Sequence, residues 1–164
     1  MKDVSQHTRI AVPSPSDYLA VMSRAVFQAG LSWAQIDRQW AALCDAFDGF
    51  DPKRVAAYRA ADVRRIMRHP GILHSERKVK ATIANAKTLL ALSKPRGFRH
   101  HLRSFGRYDA VVADLKASFS FVGDISAYYF LYRVGEKVPP FGRWIKTVEG
   151  EHPRIAQMAK RKKR

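Results

Sequence analysis

Between Tyr18 and Phe47 the apolar residues recur at helical spacing, with an interruption at Gly30-Leu31-Ser32. That interruption constrains the fold more than any other feature. Tyr18, Val21, Met22, Ala25 and Ala29 share one helical face, and Trp33, Ile36, Trp40, Leu43, Cys44 and Phe47 share another. Gly30 stops the first helix. Ser32 starts the second, and Gln35 completes a capping box. About two residues lie between the helices, so they must meet in a tight corner.

The same punctuation continues along the chain. Ser14-Pro15, with Asp17 behind them, is a helix start. Asp51-Pro52 opens a short helix through Tyr58, and Asp62 opens another that ends at His69-Pro70-Gly71. Residues 75 to 93 read as the longest helix, and Lys94-Pro95-Arg96-Gly97 as a break and a candidate lobe boundary. Helices follow over about 109–117 and 124–134, joined by Phe119-Ser120-Phe121-Val122-Gly123. Residues 135–142 read as irregular, with a weak helical segment after them. No strand pair and no internal repeat is visible. The expectation is an all-α protein: a flexible segment over residues 1–13, one compact helical domain over 14–158, and a basic tail over 159–164.

Thirty Lys and Arg stand against fourteen Asp and Glu, a net charge of +16. Self-repulsion of that size points to a polyanionic partner, nucleic acid first. No apolar run nears the roughly 18 residues of a membrane span. Cys44 is the single cysteine, so no internal disulfide and no Cys-rich zinc site can form. Residues 1–12 hold no signal-peptide core. The expected setting is cytoplasmic and nucleoid-associated, with no membrane partner.

Two segments could carry chemistry. Gly30 and Leu31 sit at the corner, where glycine permits close approach and leucine could wedge between bases. Gln28 could hydrogen-bond an orphaned base, and Trp33 could stack on a flipped one. At Phe121-Val122-Gly123-Asp124, glycine before a helix could bring a phosphate to free backbone N–H groups, those of Gly123 and Ile125 among them. An ordinary helix corner with a buried Trp and an ordinary interhelical turn are the commoner uses of such segments. Asp124 also stands against a bound phosphate. Arg96, Arg99, His100, His101, Arg103 and Arg107 form a basic cluster read as a loop that contacts phosphates. Arg77, Lys78, Lys80 and Lys87 add charge along the longest helix.

Residues 28–92 resemble the type I 3-methyladenine DNA glycosylases, a branch of the helix-hairpin-helix glycosylase superfamily. The likeness rests on Gln28-Ala29-Gly30-Leu31-Ser32-Trp33, Phe50-Asp51-Pro52 with Val55-Ala56-Ala57, Asp62-Val63, Gly71-Ile72, and Lys78 with Ala81, Ile83, Asn85 and Ala86. A second patch, Phe119 to Gly123 with Tyr128 and Phe130, is similar to the family's hairpin and following helix. The resemblance implies a monomeric base-excision repair enzyme acting on double-stranded DNA without a cofactor. It would flip out an alkylated purine, 3-methyladenine or a relative, and hydrolyse its N-glycosidic bond. It also implies a base pocket at Trp33, Ala25 and Tyr128, and DNA contacts from Gln28, Gly30, Leu31, Gly123 and Ile125; Arg99 and Arg103 of the basic cluster are read as further DNA contacts from their charge. The alternative is a non-catalytic relative that binds lesions or distorted DNA.

This chain departs from the family at informative places. Ala25 stands where the family has the glutamate that hydrogen-bonds the methylated base. The family's structural zinc is held by Cys and His near the termini; here Cys44 is internal and the His residues lack ligand spacing, so no metal is expected. The superfamily's catalytic Asp after the hairpin has no counterpart in Val138-Pro139-Pro140-Phe141-Gly142. Glu136 is near, and is read as an exposed surface residue. No catalytic residue is assigned.

Overall fold

A computed structural model describes residues 8–148. The basic tail, His7, His152 and the end of the expected domain lie outside the described residues. Within them every regular element is helical. The helices are α1 (Pro15–Gln28), α2 (Trp33–Ala46), α3 (Pro52–Ala56), α4 (Ala60–Met67), α5 (Glu76–Leu92), α6 (Phe98–Arg103), α7 (Tyr108–Ser118), α8 (Asp124–Arg133) and α9 (Phe141–Val148).

The starts follow local chemistry. Ser14 and Asp17 exchange hydrogen bonds across the first turn of α1, and Ser32 and Gln35 do the same for α2. Asp51 caps α3 through the N–H groups of Lys53 and Arg54. The fourth helix begins at Ala60, two residues before the expected Asp62. The Asp62 carboxylate reaches back to the Arg59 N–H at 2.9 Å, as an acidic residue in a first turn does.

Helix α1 is the central element. Tyr18, Leu19, Val21, Met22, Ala25, Val26 and Phe27 are all buried on it, and it packs against α2, α5 and α8. Aromatic rings organise the space around it. Phe47 and Phe50 stack at 5.3 Å, Trp40 stacks on Phe50 at 5.3 Å, and Phe27 meets Phe47 edge-on. A second cluster joins Tyr18, Phe98, Phe119 and Phe130. A third joins Tyr108, Tyr128, Phe141 and Trp144, in which Tyr128 and Trp144 stack at 4.0 Å.

One reading of the sequence needs correction. The basic cluster at 96–107 is not all loop, because Phe98–Arg103 is helical. Burial of Phe98 and Leu102 fixes that turn, and no sequence cap announces it. His101 is consequently not a solvated loop histidine. It pairs with Asp114 at 2.8 Å and lies flat on Phe98. Residues 8–13, within the segment read as flexible, make hydrogen bonds to the helical domain. The Ile10 N–H donates to the Arg133 carbonyl at 2.7 Å, Arg9 to the Glu136 carbonyl, and Arg99 to the Ala11 carbonyl. Gly135 has φ +81°, and a Cβ there would stand 2.9 Å from the Ile10 carbonyl oxygen, so glycine lets this strap lie against the end of α8.

Candidate functional site: the corner at Gly30 and the hairpin at Phe121

The corner forms as its residues dictate. Gly30 adopts φ +86°, a conformation costly for other residues, and a Cβ there would meet nothing within 4 Å. The requirement is for backbone conformation and not for lack of space. The Leu31 N–H closes the turn on the Gln28 carbonyl at 2.8 Å. Gln28 and Leu31 are half-buried, and Gly30 is exposed.

Lys78 braces this corner from α5. Its ammonium donates to the carbonyls of Phe27 at 3.1 Å and Ala29 at 2.6 Å. These carbonyls at the end of α1 lack helical partners, and a cation there also meets the negative end of the helix dipole. Lys78, one of the basic residues along the long helix, thus caps the end of α1 from inside the fold. Burial pushes its pKa down.

Trp33 opens α2 beside the corner, half-buried, with its ring 5.0 Å from that of Tyr129 and tilted by 52°. Tyr129 is 2% exposed. Its hydroxyl accepts from Arg133 at 3.3 Å, and burial raises its pKa. The sequence reading put Tyr128 in the base pocket. The structure turns Tyr128 away, onto Trp144 and Phe141, with its hydroxyl on the Pro139 carbonyl at 2.8 Å. Adjacent residues on a helix point about 100° apart, so one of the two tyrosines had to be excluded.

Ala25 is 7% exposed, and its methyl group faces the core. One residue earlier, Arg24 lies over the Trp40 ring at 4.9 Å and is ion-paired with Asp37. Asp37 stands one turn after Trp33 on α2, so a carboxylate shares the Trp33 side of that helix. Its side chain is 44% exposed, against 14% for Arg24. Sequence reasoning passed over Asp37 because no motif marks it.

The hairpin has the expected place between α7 and α8, but a different residue makes its bend. Gly123 is extended at φ −117°, whereas Phe121 takes φ +62°. Asn85, 2% exposed on α5, holds this strained turn. Its side chain accepts from the Ser120 N–H at 2.8 Å and donates to the Ser120 carbonyl at 3.2 Å. Arg77 lies over the Phe121 ring at 5.0 Å. The Gly123 N–H, expected to face a phosphate, is bound by Ser126 Oγ at 2.8 Å. Asp124 is neutralised by Lys116 at 3.0 Å, which lessens its repulsion of an anion. Ile125 is half-buried and packs against the core.

Arg99 and Arg103 are held from within the chain. Both bind Glu136, at 3.4 Å and 3.0 Å. Glu136 is 8% exposed and so is a buried anion, contrary to the surface position expected. Two guanidiniums offset its desolvation. Among the described residues no group of three or more His, Cys, Asp and Glu is placed to hold a metal ion. Cys44 lies within α2 with its thiol pKa raised by burial, so it does not fit the family's terminal zinc site.

An all-helical domain with an exposed glycine corner, an aromatic behind it and a hairpin clamped beside it is the architecture of a helical DNA glycosylase. A family model described as methyladenine glycosylase matches residues 14–137, and the chain belongs to that family. A DNA-3-methyladenine glycosylase from Haemophilus influenzae is 28% identical over 130 residues, 66% of this chain and 70% of that protein. DNA-3-methyladenine glycosylase 1 of Escherichia coli K12 is 36% identical over 67 residues, 41% of this chain and 36% of that protein. A crystal structure of 3-methyladenine DNA glycosylase I aligns with a TM-score of 0.65 at 28% identity, covering 76% of this chain and 81% of that one. The 3-methyladenine DNA glycosylase I of Staphylococcus aureus aligns with a TM-score of 0.69 at 24% identity over 85% of this chain and 89% of that one, a likeness of fold. No described helix is long and apolar enough to cross a membrane.

Proposed function

We propose that this protein removes an alkylated purine, 3-methyladenine first among them, from double-stranded DNA by hydrolysing the N-glycosidic bond. The observation that carries the reading is the placement of Trp33. The Ser32–Gln35 capping box fixes the start of α2, and Gly30-Leu31 precede it at an exposed edge braced by Lys78. A wedge and a stacking ring, Leu31 and Trp33, thus flank the Ser32 cap of one corner. Membership of the methyladenine glycosylase family and the names of the relatives support the same substrate.

Methylation at N3 makes the adenine cationic, and a cationic base leaves its sugar readily. The protein's task is then to hold the extruded base, exclude bulk water and admit one water molecule. Trp33 supplies a stacking face. Tyr129 closes one side of it, so a base stacks on the remaining face. Asp37, ion-paired with Arg24, places a carboxylate on that side of α2. Gly30, Leu31 and Gln28 meet the gap left in the duplex. The Phe121 turn presents the first amides of α8, those of Asp124 and Ile125, toward a phosphate. The enzyme works as a monomer and reaches its substrate on nucleoid DNA.

The test is base release. Purified protein incubated with methylated duplex should liberate 3-methyladenine. Tight, salt-sensitive binding with no released base would overturn the reading in favour of a lesion-binding relative.

A further inference from the structure

Some basic side chains are engaged within the chain and others are not. Arg24, Arg65, Lys78, Arg99, Arg103 and Lys116 are engaged by carboxylates or carbonyls of the chain itself. Arg107, Lys137 and Arg143 make no side-chain hydrogen bond or ion pair with any described residue. These three, with Arg103, line a single groove of about 640 Å³ between the α6–α7 connection and the segment leading into α9. Two carboxylates share the groove. Glu136 is already matched by Arg99 and Arg103, which leaves Asp109 against three cations. The first turn of α7 also lines it, and no side chain caps that helix. Unpaired amides therefore add to the positive potential.

This groove is not the corner site. Helix α8 sends Tyr129 toward Trp33 and sends Leu131, two residues on and about 200° around the helix, into the groove wall. The hairpin turn stands at the far end of α7, about 16 Å away for an 11-residue helix. Uncompensated cations gathered in a concavity repel one another and raise the local potential for an anion.

We propose that this groove is a second phosphate-binding site, which takes the phosphodiester backbone of the DNA flanking the lesion. It rests on the DNA-acting reading above, since the same duplex supplies the phosphates. The apolar groove wall of Leu102, Val111 and Leu131 lowers the local polarity, which strengthens each charge contact. Backbone contacts of this kind carry no sequence information and add affinity that falls with salt.

The test uses the full chain with Lys137→Gln/Arg143→Gln, two side chains without internal partners. Binding is read by fluorescence anisotropy, across a salt series, on lesion-centred duplexes of about 10 and about 30 base pairs. The shorter reaches only about 17 Å to either side of the lesion, at roughly 3.4 Å per base pair. On the longer duplex the double variant should bind about fivefold or more weakly, with a log–log salt slope shallower by about 2. On the shorter duplex the loss should be clearly smaller. Lys137→Arg/Arg143→Lys should restore the slope. An unchanged slope and affinity on the long duplex would overturn the proposal. So would equal losses on both lengths, which would put these residues in the primary footprint. Base release, measured separately, judges the activity. No release with the length dependence intact counts against the chemistry alone, and release without length dependence counts against the groove alone.

Discussion

Lys78 donates a 2.6 Å hydrogen bond to the carbonyl of Ala29, the residue before the Gly30 turn, and so α5 holds the edge that would meet DNA. Lys78→Met keeps most of the apolar stem and removes the charge. It leaves the Phe27 and Ala29 carbonyls short of a donor, at a cost of about 1–3 kcal/mol. The expected outcome is a lower urea midpoint together with a drop in base release. If the midpoint falls and release per folded molecule does not, the brace supports the fold but not the corner's function.

Asn85 makes the corresponding clamp at the hairpin. Asn85→Ala strips partners from both backbone groups of Ser120, and the loss should be about 2–3 kcal/mol in unfolding free energy. With the strained Phe121 turn released, DNA affinity should fall as well. Asn85→Asp keeps the acceptor for the Ser120 N–H but loses the donor and introduces a buried charge, so it should be no better than alanine. An Asp variant with full stability and affinity would refute the clamp.

These two residues show what the sequence discloses and what it hides. The helix starts at Ser14, Ser32 and Asp51 are legible because cap and partner lie two or three residues apart. The Gly30 corner is legible for the same reason. Lys78 and Ala29 are 49 residues apart, and Asn85 and Ser120 are 35 apart, so no local window joins them. Glu136 reads as a surface residue beside Lys137, and only its two arginines on α6 justify its burial. Which tyrosine faces Trp33 depends on the rotation of α8 about its axis, and both Tyr128 and Tyr129 are buried. Tyr128 carries the family likeness, yet Tyr129 holds the place beside the ring.

Glu136→Gln separates support from catalysis. Removing the charge leaves Arg99 and Arg103 without their shared counter-ion. Arg103 is more than half exposed and solvent compensates it, so the cost should be about 1–3 kcal/mol, below that of a fully buried pair. Arg99 also pins Ala11, so the strap over residues 8–13 should become more accessible to protease. Base release should decline only as far as the folded fraction does. A collapse of kcat at unchanged stability would make Glu136 a catalytic residue.

His69 provides a pH signature. Its hydrogen bond to Asp45, and then that to the Pro70 carbonyl, raise its pKa above the usual value near 6.5. A raised folded-state pKa means that the native state binds the proton more tightly than the unfolded chain. The pair therefore contributes fully below about pH 6.5, and its contribution disappears as the pH climbs through the raised value. His69→Gln should remove that pH dependence from the melting curve above pH 6, and Asp45→Asn should do the same. A wild-type melting temperature that is flat over this range while His69 titrates normally by NMR would refute the assignment.

Asp37 bears on substrate charge. Ala25 leaves its position on α1 without a carboxylate, and Asp37 provides one on the Trp33 side of α2, held by Arg24. A charge-assisted hydrogen bond to a cationic base is worth about 1.5–3 kcal/mol. Asp37→Asn should then reduce release of 3-methyladenine by about tenfold to a hundredfold, since 1.36 kcal/mol is a factor of ten. Arg24, 14% exposed, loses its counter-ion, so the melting temperature should fall as well, and release is compared per folded molecule. Release of a neutral base from the same duplex context should be affected far less, because a neutral base offers no positive charge for the carboxylate to meet. Trp33→Ala serves as the reference, with release of both bases falling far more than binding. Leu31→Ala should weaken lesion engagement with little loss of stability, as its side chain is only half-buried. If Asp37→Asn slows release of cationic and neutral bases alike, Asp37 positions Arg24 and Trp40 and does not read the base.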